Sequence, residues 1–299
     1  MKGLQIAAIA LALQASIPLQ FGHADEVHKQ QANNYSVQFI GTATILLKYG
    51  DLTIITDPAF DPAGGSYDMG FTTIQKTEDP ALEASELPNV DLVLLSHHQH
   101  QDNFDTLGQN VLANANLAIT TTEGAEHLGG NTIGLAQWDT HQIDDVTITA
   151  LPAQHGPAEA VELLGSVNGF IISSPSGPTI YISGDTVPFA GTEEIVTKYS
   201  GKIDYALLHT GQVAEAPDTP PFFTMSAEEA VELAEQLDVP SFSIIHADSW
   251  AHFHEKLPEA IKIVKESSLS DRLLELEPGQ TKTIPFSRYK AKKTIIDDN

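Results

Sequence analysis

The sequence contains no cysteine. Disulfide bonds and thiolate metal ligands are therefore excluded, and any metal site must use histidine, aspartate, glutamate or asparagine. Basic residues are also scarce, because 15 lysines and arginines stand against 40 aspartates and glutamates, giving a formal net charge of −25. This excess of negative charge would repel nucleic acid and anionic membrane surfaces. We therefore expect a small-molecule substrate as the partner, and no nucleic acid.

The chain begins with an apolar stretch that is too short and too polar to be a good membrane span. Residues 4–19 fall short of the ~20 residues that cross a bilayer, and two glutamines and a proline interrupt them. Met1-Lys2 before this stretch and Gly22-His23-Ala24 after it give the charged start and small-residue cleavage site of an export signal. We therefore expect cleavage after Ala24, no stable membrane anchor, and a periplasmic or secreted protein.

At 299 residues the chain can bury a full core, and we expect one large domain. Residues 61–87 are rich in Gly, Pro, Asp and Thr without periodicity, which predicts an exposed connection. The predicted division is a signal peptide at 1–24, a flexible mature N-terminus at 25–35, one folded domain at 36–287 and a polar tail at 288–299. Hydrophobic patterning predicts strands at 36–40, 43–49, 52–56, 91–95, 117–121, 146–150, 169–173, 179–182, 205–209 and 241–245, and helices at 106–116, 226–237 and 258–267.

The most informative stretch runs from Ser96 to Asp105 and reads S-H-H-Q-H-Q-D-N-F-D, directly after a predicted buried strand. In an extended backbone His98 and His100, two residues apart, point to the same side. Neutral imidazole nitrogen suits zinc, iron or copper, and an added carboxylate favours zinc, iron or manganese over calcium. The stretch therefore predicts a metal site.

Other polar side chains also stand at the ends of predicted strands: His155, Asp185, His209 and His246. Each has an ordinary explanation when it is considered alone. A loop histidine usually lies at the surface, and an aspartate after a glycine is commonly a turn residue or a helix N-cap. Trp250, His252 and His254 follow closely on the last of these strands, either as aromatic cover over a cleft or as ordinary packing.

The stretch from Ser96 resembles the H-x-H-x-D-H signature of the metallo-β-lactamase-fold hydrolases, with His98, His100 and Asp102 at its first three polar positions. Asn103 stands where the signature has a fourth-ligand histidine. Ser96-His97 in turn resembles the Ser-His that opens the motif, so the register between His97 and His98 stays open. The variant pattern is similar to lactonase-like and phospholipase D-like members of the superfamily.

Three later segments strengthen the resemblance. P-A-x-H-G at His155 and S-G-D-T at Asp185 are similar to the next two ligand segments of the family, and His246 follows a helix and a strand as the family order requires. T-D-P at Asp57 resembles a segment near the family's metal centre, although an Asx-Pro turn explains it equally well. His209 would lie beside the cleft, facing either a metal-binding residue or the substrate.

The resemblance implies an α+β fold, the four-layer αβ/βα sandwich of metallo-β-lactamase type, with metals at one edge between two sheets. It implies a first metal on His98, His100 and His155 and a second on Asp102, Asp185 and His246, with Asp185 bridging. A neutral amide at Asn103 would weaken the second position unless His97 or His252 fills the place. The predicted cofactor is one or two Zn²⁺, with Mn²⁺ or Fe²⁺ as alternatives.

The function expected from this resemblance is an exported hydrolase in which metal-activated water attacks a carboxylic ester, lactone or amide. Asp102 and His209 are its predicted catalytic residues, and Asp102 would orient the hydroxide or pass a proton to the leaving group. The alternatives are a phosphodiesterase of the phospholipase D-like branch, which would need cationic groups at the cleft, and a non-catalytic metal-binding module if Asn103 marks a degenerate site.

Overall fold

The computed structural model describes residues 34–69, 72–216 and 219–286. The predicted signal peptide at 1–24, nearly all of the predicted N-terminal segment at 25–35 and the predicted tail at 288–299 lie outside the described residues. Their assignment, and the predicted limits of the domain, therefore stay predictions. Within the described ranges, none of the helices combines the length and the apolar character that crossing a membrane requires.

The described chain alternates short strands with short helices. The helices are α1 (Thr106–Asn114), α2 (Thr122–Leu128), α3 (Val161–Leu164), α4 (Ala190–Tyr199), α5 (Ala227–Gln236) and α6 (Leu257–Glu266). The strands are β1 (Tyr35–Gly41), β2 (Thr44–Tyr49), β3 (Leu52–Thr56), β4 (Ser66–Asp68), β5 (Thr73–Gln75), β6 (Leu92–Leu94), β7 (Leu117–Thr120), β8 (Thr132–Gly134), β9 (Thr140–Ile143), β10 (Val146–Ala153), β11 (Val167–Ser173), β12 (Ile180–Ile182), β13 (Tyr205–His209), β14 (Ala214–Ala216), β15 (Thr219–Phe222), β16 (Phe242–Ile245) and β17 (Thr281–Thr283).

Two large sheets carry the fold. The first has the strand order β17-β1-β2-β3-β6-β7-β8, and the second has the order β16-β13-β12-β11-β10-β9. β1, β2 and β3 form the predicted antiparallel meander, after which β6, β7 and β8 continue in parallel with β3. β12, β13 and β16 are parallel, and β10 runs in the same direction because β11 is antiparallel to both β10 and β12. β4 pairs with β5 and β14 pairs with β15 in two small hairpins.

Three apolar clusters fill the spaces between the layers. One contains side chains of both large sheets, such as Ile45 and Phe170, and therefore lies between them. A second joins the outer face of the second sheet to α4, α5 and α6, through residues such as Ile195 and Ala230. A third joins the outer face of the first sheet to α1, through residues such as Val111. The order helix, sheet, sheet, helix confirms the predicted four-layer sandwich.

Local sequence signals account for most of these elements. α5 begins at a capping box, in which the Ser226 hydroxyl accepts from the backbone N–H of Glu229 and the Glu229 carboxylate accepts from the backbone N–H of Ser226. Pro258 stands in the first turn of α6, where its missing N–H costs nothing. The sequence did not predict α4, because its N-cap is Phe189 and a glycine occupies its second position.

The prediction that residues 61–87 form an exposed connection is wrong in part. This segment contains the β4–β5 hairpin, and Lys76, directly after β5, is buried with only 3 % of its surface exposed. Its ammonium group donates to the carbonyl of Ala59 and lies 3.3 Å from Asp105 Oδ2. Asp105 also caps α1 by accepting from Gly108 N–H. The ion pair therefore ties the segment to the helix that follows the histidine-rich stretch.

We predict that Lys76→Met lowers the free energy of unfolding by about 3–5 kcal/mol, because it leaves the Asp105 carboxylate buried without its counter-charge. Urea denaturation monitored by circular dichroism measures this loss. Lys262→Met is the control, since its pair with Glu266 is exposed and spans 3.9 Å, and it should cost no more than about 1 kcal/mol. Equal losses in the two variants would contradict the prediction.

Candidate metal centre

Three histidines converge at the edge where the two sheets meet. The Nε2 atoms of His97 and His155 lie 3.0 Å and 3.2 Å from Nδ1 of His100. All three side chains are buried, and their ligand atoms lie within 4.8 Å of one another. His97 and His100 follow β6 of the first sheet, whereas His155 follows β10 of the second. Two sheets thus supply one cluster.

His98 lies outside this cluster, contrary to the register in which it was a first-metal ligand. Its ring packs against His127, with 4.7 Å between the ring centroids. The expectation assumed an extended backbone in which alternate residues share a side. The chain instead leaves β6 at Leu94 and passes through bends and turns from Ser96 to Phe104. His97 and His100, three residues apart, are therefore the pair that the structure brings together.

The hydrogen bonds of His97 and His155 determine which ring nitrogen of each is free to bind a metal. Nδ1 of His155 lies 2.7 Å from the carbonyl of Phe223 and must donate to it, so Nε2 of a neutral His155 carries a lone pair. Nδ1 of His97 lies 2.9 Å from the Ser96 hydroxyl, which itself donates to Asp57 Oδ1 at 2.8 Å. His97 therefore donates to Ser96 and also directs a lone pair from Nε2 into the cluster.

Asp57 thus takes part through Ser96 rather than as a ligand. Its Oδ1 accepts from both the hydroxyl and the backbone N–H of Ser96, and its side chain is fully buried. A carboxylate that fixes the tautomer of a histidine ligand through an intervening group is a common feature of metal sites. The geometry thus places the T-D-P segment next to the predicted metal-binding loop.

A second group of polar atoms adjoins the three histidines. Oδ2 of Asp185 lies 3.4 Å from Nε2 of His246 and 3.9 Å from Nε2 of both His97 and His155. Nε2 of His246 also lies 3.7 Å from Oδ2 of Asp102. Asp185 therefore lies between the three-histidine cluster and the pair formed by His246 and Asp102, the position that the resemblance predicted for a bridging carboxylate.

In this second group, hydrogen-bond acceptor atoms face one another. Nδ1 of His246 lies 3.2 Å from the carbonyl of Thr210 and donates to it, so Nε2 of a neutral His246 carries a lone pair. Both this Nε2 and Oδ2 of Asp185 are buried without a hydrogen-bond partner among the residues that the structure describes. Two buried acceptors 3.4 Å apart repel each other unless a proton or a metal cation lies between them. The donor set therefore fits a metal ion.

The pKa shifts keep the imidazoles of His97 and His100 neutral and the carboxylates of Asp102 and Asp185 ionised near neutral pH. Burial, with the neighbouring His100, lowers the pKa of His97 well below its ordinary value, and burial with His155 lowers the pKa of His100 to about 4. Burial alone would raise the pKa of Asp102 and Asp185. Nearby imidazoles, led by a hydrogen bond from His252 to Asp102 and by the charge of His246 beside Asp185, outweigh burial and lower both values.

The donor spacings match those around one or two ions. Zn–N and Zn–O bonds of ~2.0–2.2 Å in tetrahedral geometry place donor atoms roughly 3.3 Å apart. The contacts of His100 with His97 and His155, at 3.0 Å and 3.2 Å, suit a first ion, and the 3.4 Å between His246 and Asp185 suits a second. These residues could hold two metal ions that share Asp185.

The backbone around Asp185 and His246 is unusual in a way that fixes both side chains. Gly184 has a φ of +62°, and a Cβ at this position would lie 2.7 Å from the carbonyl of Asn168. His246 itself has a φ of +65°, which is uncommon for a residue other than glycine. Such strained positions cluster at functional sites. Here they turn the side chains back towards the sheet edge.

His209, one of the two predicted catalytic residues, lies behind Asp185 rather than in front of it. It is fully buried, and its Nδ1 lies 2.9 Å from Oδ1 of Asp185. This contact orients the carboxylate and leaves Oδ2 directed at the other histidines. A catalytic role for His209 stays a prediction. Its location favours contact with a metal-binding residue, Asp185, over contact with the substrate.

Asn103 and His252 both lie near Asp102. Asn103 is fully buried, and neither of its side-chain polar atoms has a hydrogen-bond partner. Nε2 of His252 lies 3.0 Å from Oδ2 of Asp102. Trp250, by contrast, is completely buried and donates from Nε1 to the Thr42 hydroxyl, so it is a packing residue rather than an exposed cover.

Sequence analysis missed two contributors to the site. The carbonyl of Phe223 holds His155, but a backbone acceptor leaves no mark in the sequence. The hydroxyl of Ser96 links Asp57 to His97 through two hydrogen bonds. The sequence did carry a signal for this link, because Ser96 directly precedes the first histidine of the stretch.

Comparison with known proteins shows which proteins this chain is similar to. Residues 53–247 match the model of the β-lactamase superfamily domain. A UPF0173 metal-dependent hydrolase of Pyrococcus abyssi is 26 % identical over 249 residues, covering 82 % of this chain and 97 % of its own length. The UPF0173 protein YddR of Bacillus subtilis is 24 % identical over 254 residues, covering 82 % of this chain and 98 % of its own.

Solved structures share the fold. The crystal structure of an isothiocyanate hydrolase from Delia radicum gut bacteria superposes with a TM-score of 0.71 at 23 % identity, covering 84 % of this chain and 100 % of that chain. A metallo hydrolase from Ignicoccus hospitalis gives a TM-score of 0.64 at 20 % identity, covering 85 % of this chain and 99 % of that chain. Both comparisons span nearly the whole described fold.

Substitution of the adjacent histidines tests the register of the cluster. We predict that His97→Ala binds at least one equivalent of zinc fewer than the unaltered protein, because the three-histidine group loses a donor. His98→Ala should retain the full zinc content, since its ring lies against His127. Elemental analysis after dialysis against micromolar zinc measures both. Loss of zinc in His98→Ala with retention in His97→Ala would restore the original register.

Substitution of His209 tests whether it acts through Asp185. Removing a partner that orients a metal ligand typically weakens metal binding by about 10–100-fold. We therefore predict a loss of this size in zinc affinity for His209→Phe, measured by competition with a chromogenic chelator. His141→Phe, on the distant strand β9, is the control and should bind zinc with unaltered affinity. Unchanged affinity in His209→Phe would mean that the Asp185 contact does not support the ligand.

Proposed function

The chain belongs to the β-lactamase superfamily as a metal-dependent hydrolase, and we propose that it uses zinc, held by the clustered histidines and carboxylates, to hydrolyse a carboxylic ester, lactone or amide. The observation that supports this proposal most directly is the convergence of buried lone pairs. Nε2 of His155 and His246 are directed towards the unpartnered Oδ2 of Asp185, with each Nδ1 committed to a backbone carbonyl. Imidazole nitrogens beside a carboxylate oxygen are donors that zinc prefers.

In this proposal His97, His100 and His155 hold the first ion, Asp102 and His246 hold the second, and Asp185 bridges them. A metal held there supplies a nucleophile by lowering the pKa of water, and it polarises the substrate carbonyl oxygen. Burial alone would raise the pKa of Asp102, but neighbouring imidazoles hold it below its ordinary value, so the carboxylate is ionised and can orient the attacking water by accepting a hydrogen bond from it.

The charges around the site favour a carbonyl substrate over a phosphodiester. Phosphate recognition would call for free guanidinium or ammonium groups at the cleft. Lys76 and Lys256 contact the loops that flank the site, but Lys76 is paired with Asp105 and Lys256 donates to the carbonyl of Trp250. Of the two arginines in the chain, Arg272 pairs with Asp238 and Arg288 lies outside the described residues. A neutral substrate avoids repulsion by this acidic protein.

Export is part of the proposal and depends on residues 1–24 alone. A charged start, an apolar stretch and a small-residue cleavage site support it. An oxidising compartment outside the cytoplasm also suits zinc, which has no redox chemistry of its own.

The test is a hydrolysis screen of zinc-reconstituted mature protein against lactones, aryl esters, amides, phosphodiesters and isothiocyanates. We expect turnover of at least one carbonyl substrate that chelation removes and zinc restores. His100→Ala and Asp185→Asn should each reduce this turnover to the background rate while keeping the circular dichroism spectrum. His98→Ala is the matched control and should keep most of the activity.

Different results would redirect or overturn the proposal. Turnover of phosphodiesters alone would replace the carbonyl substrate with a phosphodiester at the same metal centre. Full activity in Asp185→Asn, or activity that survives complete removal of metal, would refute the assigned centre. A protein that binds no metal at micromolar zinc would be a non-catalytic module.

A further inference from the structure

The second metal position has an incomplete set of strong donors in the primary motif. The residue after Asp102 is Asn103, and an uncharged amide oxygen is a poorer ligand than imidazole for a transition metal. Asn103 is fully buried, and both Oδ1 and Nδ2 lack hydrogen-bond partners among the described residues. The motif at residues 96–105 therefore supplies no second imidazole to the position formed by Asp102, Asp185 and His246.

His252 lies where a further nitrogen donor would be needed. It comes from the loop after β16, six residues beyond His246, and its Nε2 lies 3.0 Å from Oδ2 of Asp102. The same Oδ2 lies 3.7 Å from Nε2 of His246, which lies 3.4 Å from Oδ2 of Asp185. These three separations bracket the roughly 3.3 Å expected between donors on one tetrahedral ion. His252 thus extends the donor chain beyond Asp102.

The loop holds the His252 ring in place by packing. The ring contacts Phe253, with 4.5 Å between centroids, and lies edge-on to the buried Trp250 at 6.0 Å. Phe253 also packs against the ring of His246, at 4.6 Å. One aromatic side chain therefore supports both histidines, so the orientation of His252 is coupled to that of His246.

We propose that His252 is a ligand of the second metal ion and replaces the histidine that Asn103 displaces from the primary motif. This inference rests on the proposed function, because it assumes that the centre holds metal. The alternative role for His252 is to donate a hydrogen bond to Asp102 without touching the ion. The two roles differ in what a glutamine at position 252 would preserve.

The experiment compares metal binding by the unaltered protein, His252→Gln, His254→Gln and the double variant His252→Gln/Asn103→His. Glutamine can still donate a hydrogen bond to Asp102 but is a weak zinc ligand. His254 is in the same loop, and its Nε2 donates to the carbonyl of Ala214, so it controls for disturbance of the loop. Zinc stoichiometry and affinity are measured by elemental analysis and chelator competition, and the visible spectrum of the cobalt-substituted protein reports on coordination.

We expect two equivalents of zinc in the unaltered protein and in His254→Gln. In His252→Gln the first equivalent should remain, while affinity for the second falls by more than about 100-fold, the upper end of the effect of removing a group that only orients a ligand. The cobalt spectrum should change in the same variant. The double variant should recover the second equivalent, because a histidine at position 103 supplies the missing nitrogen.

Two equivalents bound with unaltered affinity in His252→Gln would overturn the inference and leave His252 as a hydrogen-bond donor. A single equivalent in both the unaltered protein and His252→Gln would also overturn it, while the proposed hydrolase would stand with one ion. Absence of zinc from every variant and from the unaltered protein would overturn the proposed function itself. Whether the first equivalent of zinc binds therefore separates failure of this inference from failure of the proposed function.

Discussion

The site depends on the close approach of buried groups that a proton or a metal cation must separate. His155 and His246 each donate from Nδ1 to a backbone carbonyl, so with both imidazoles neutral their Nε2 lone pairs face the oxygen of Asp185 that has no partner among the described residues. An unpartnered buried polar atom usually costs about 1 kcal/mol or more, and facing acceptors cost more. In that protonation state the arrangement carries a stability penalty without metal. Metal binding removes the penalty, so metal and stability should be linked.

The two-sheet architecture makes this convergence possible. β10, β12, β13 and β16 run in one direction in the second sheet, so the residues that follow them reach one edge. The loop after β6 arrives from the first sheet, and the backbone N–H of Asn168 donates to the carbonyl of Ser96 where the sheets meet. The N–H of His246 likewise donates to the carbonyl of Thr42. Backbone hydrogen bonds between the sheets thus fix the spacing of ligands that are far apart in sequence.

The resemblance to a known family implied the fold and most of the cluster, because it rests on short motifs that each follow a strand. His155, Asp185 and His246 each follow a recognisable strand, and strand ends can be read from hydrophobic runs. The exchange of His97 for His98 could not be predicted, since it depends on how many residues the turn after Leu94 uses. The burial of Lys76 was also missed, because its partner Asp105 is distant in sequence and residues 61–87 show no periodicity. Long-range pairing of charges leaves no local pattern.

The proposed replacement of a ligand at position 103 by His252 would let a metal centre change its ligands without changing its fold. Position 103 lies in the turn before α1, whose geometry is held by the cap at Asp105 and by the contact of Asp105 with Lys76. The loop after β16 is held through Trp250 and Phe253, and Lys76 joins the two loops because its backbone also pairs with that of Trp250. Because both loops reach the same cavity, a nitrogen donor can be lost from one and supplied by the other while Asp102 and His246 keep their positions. The ligand set is then a property of the cavity rather than of a single motif, which explains why motif matching alone leaves this centre one ligand short.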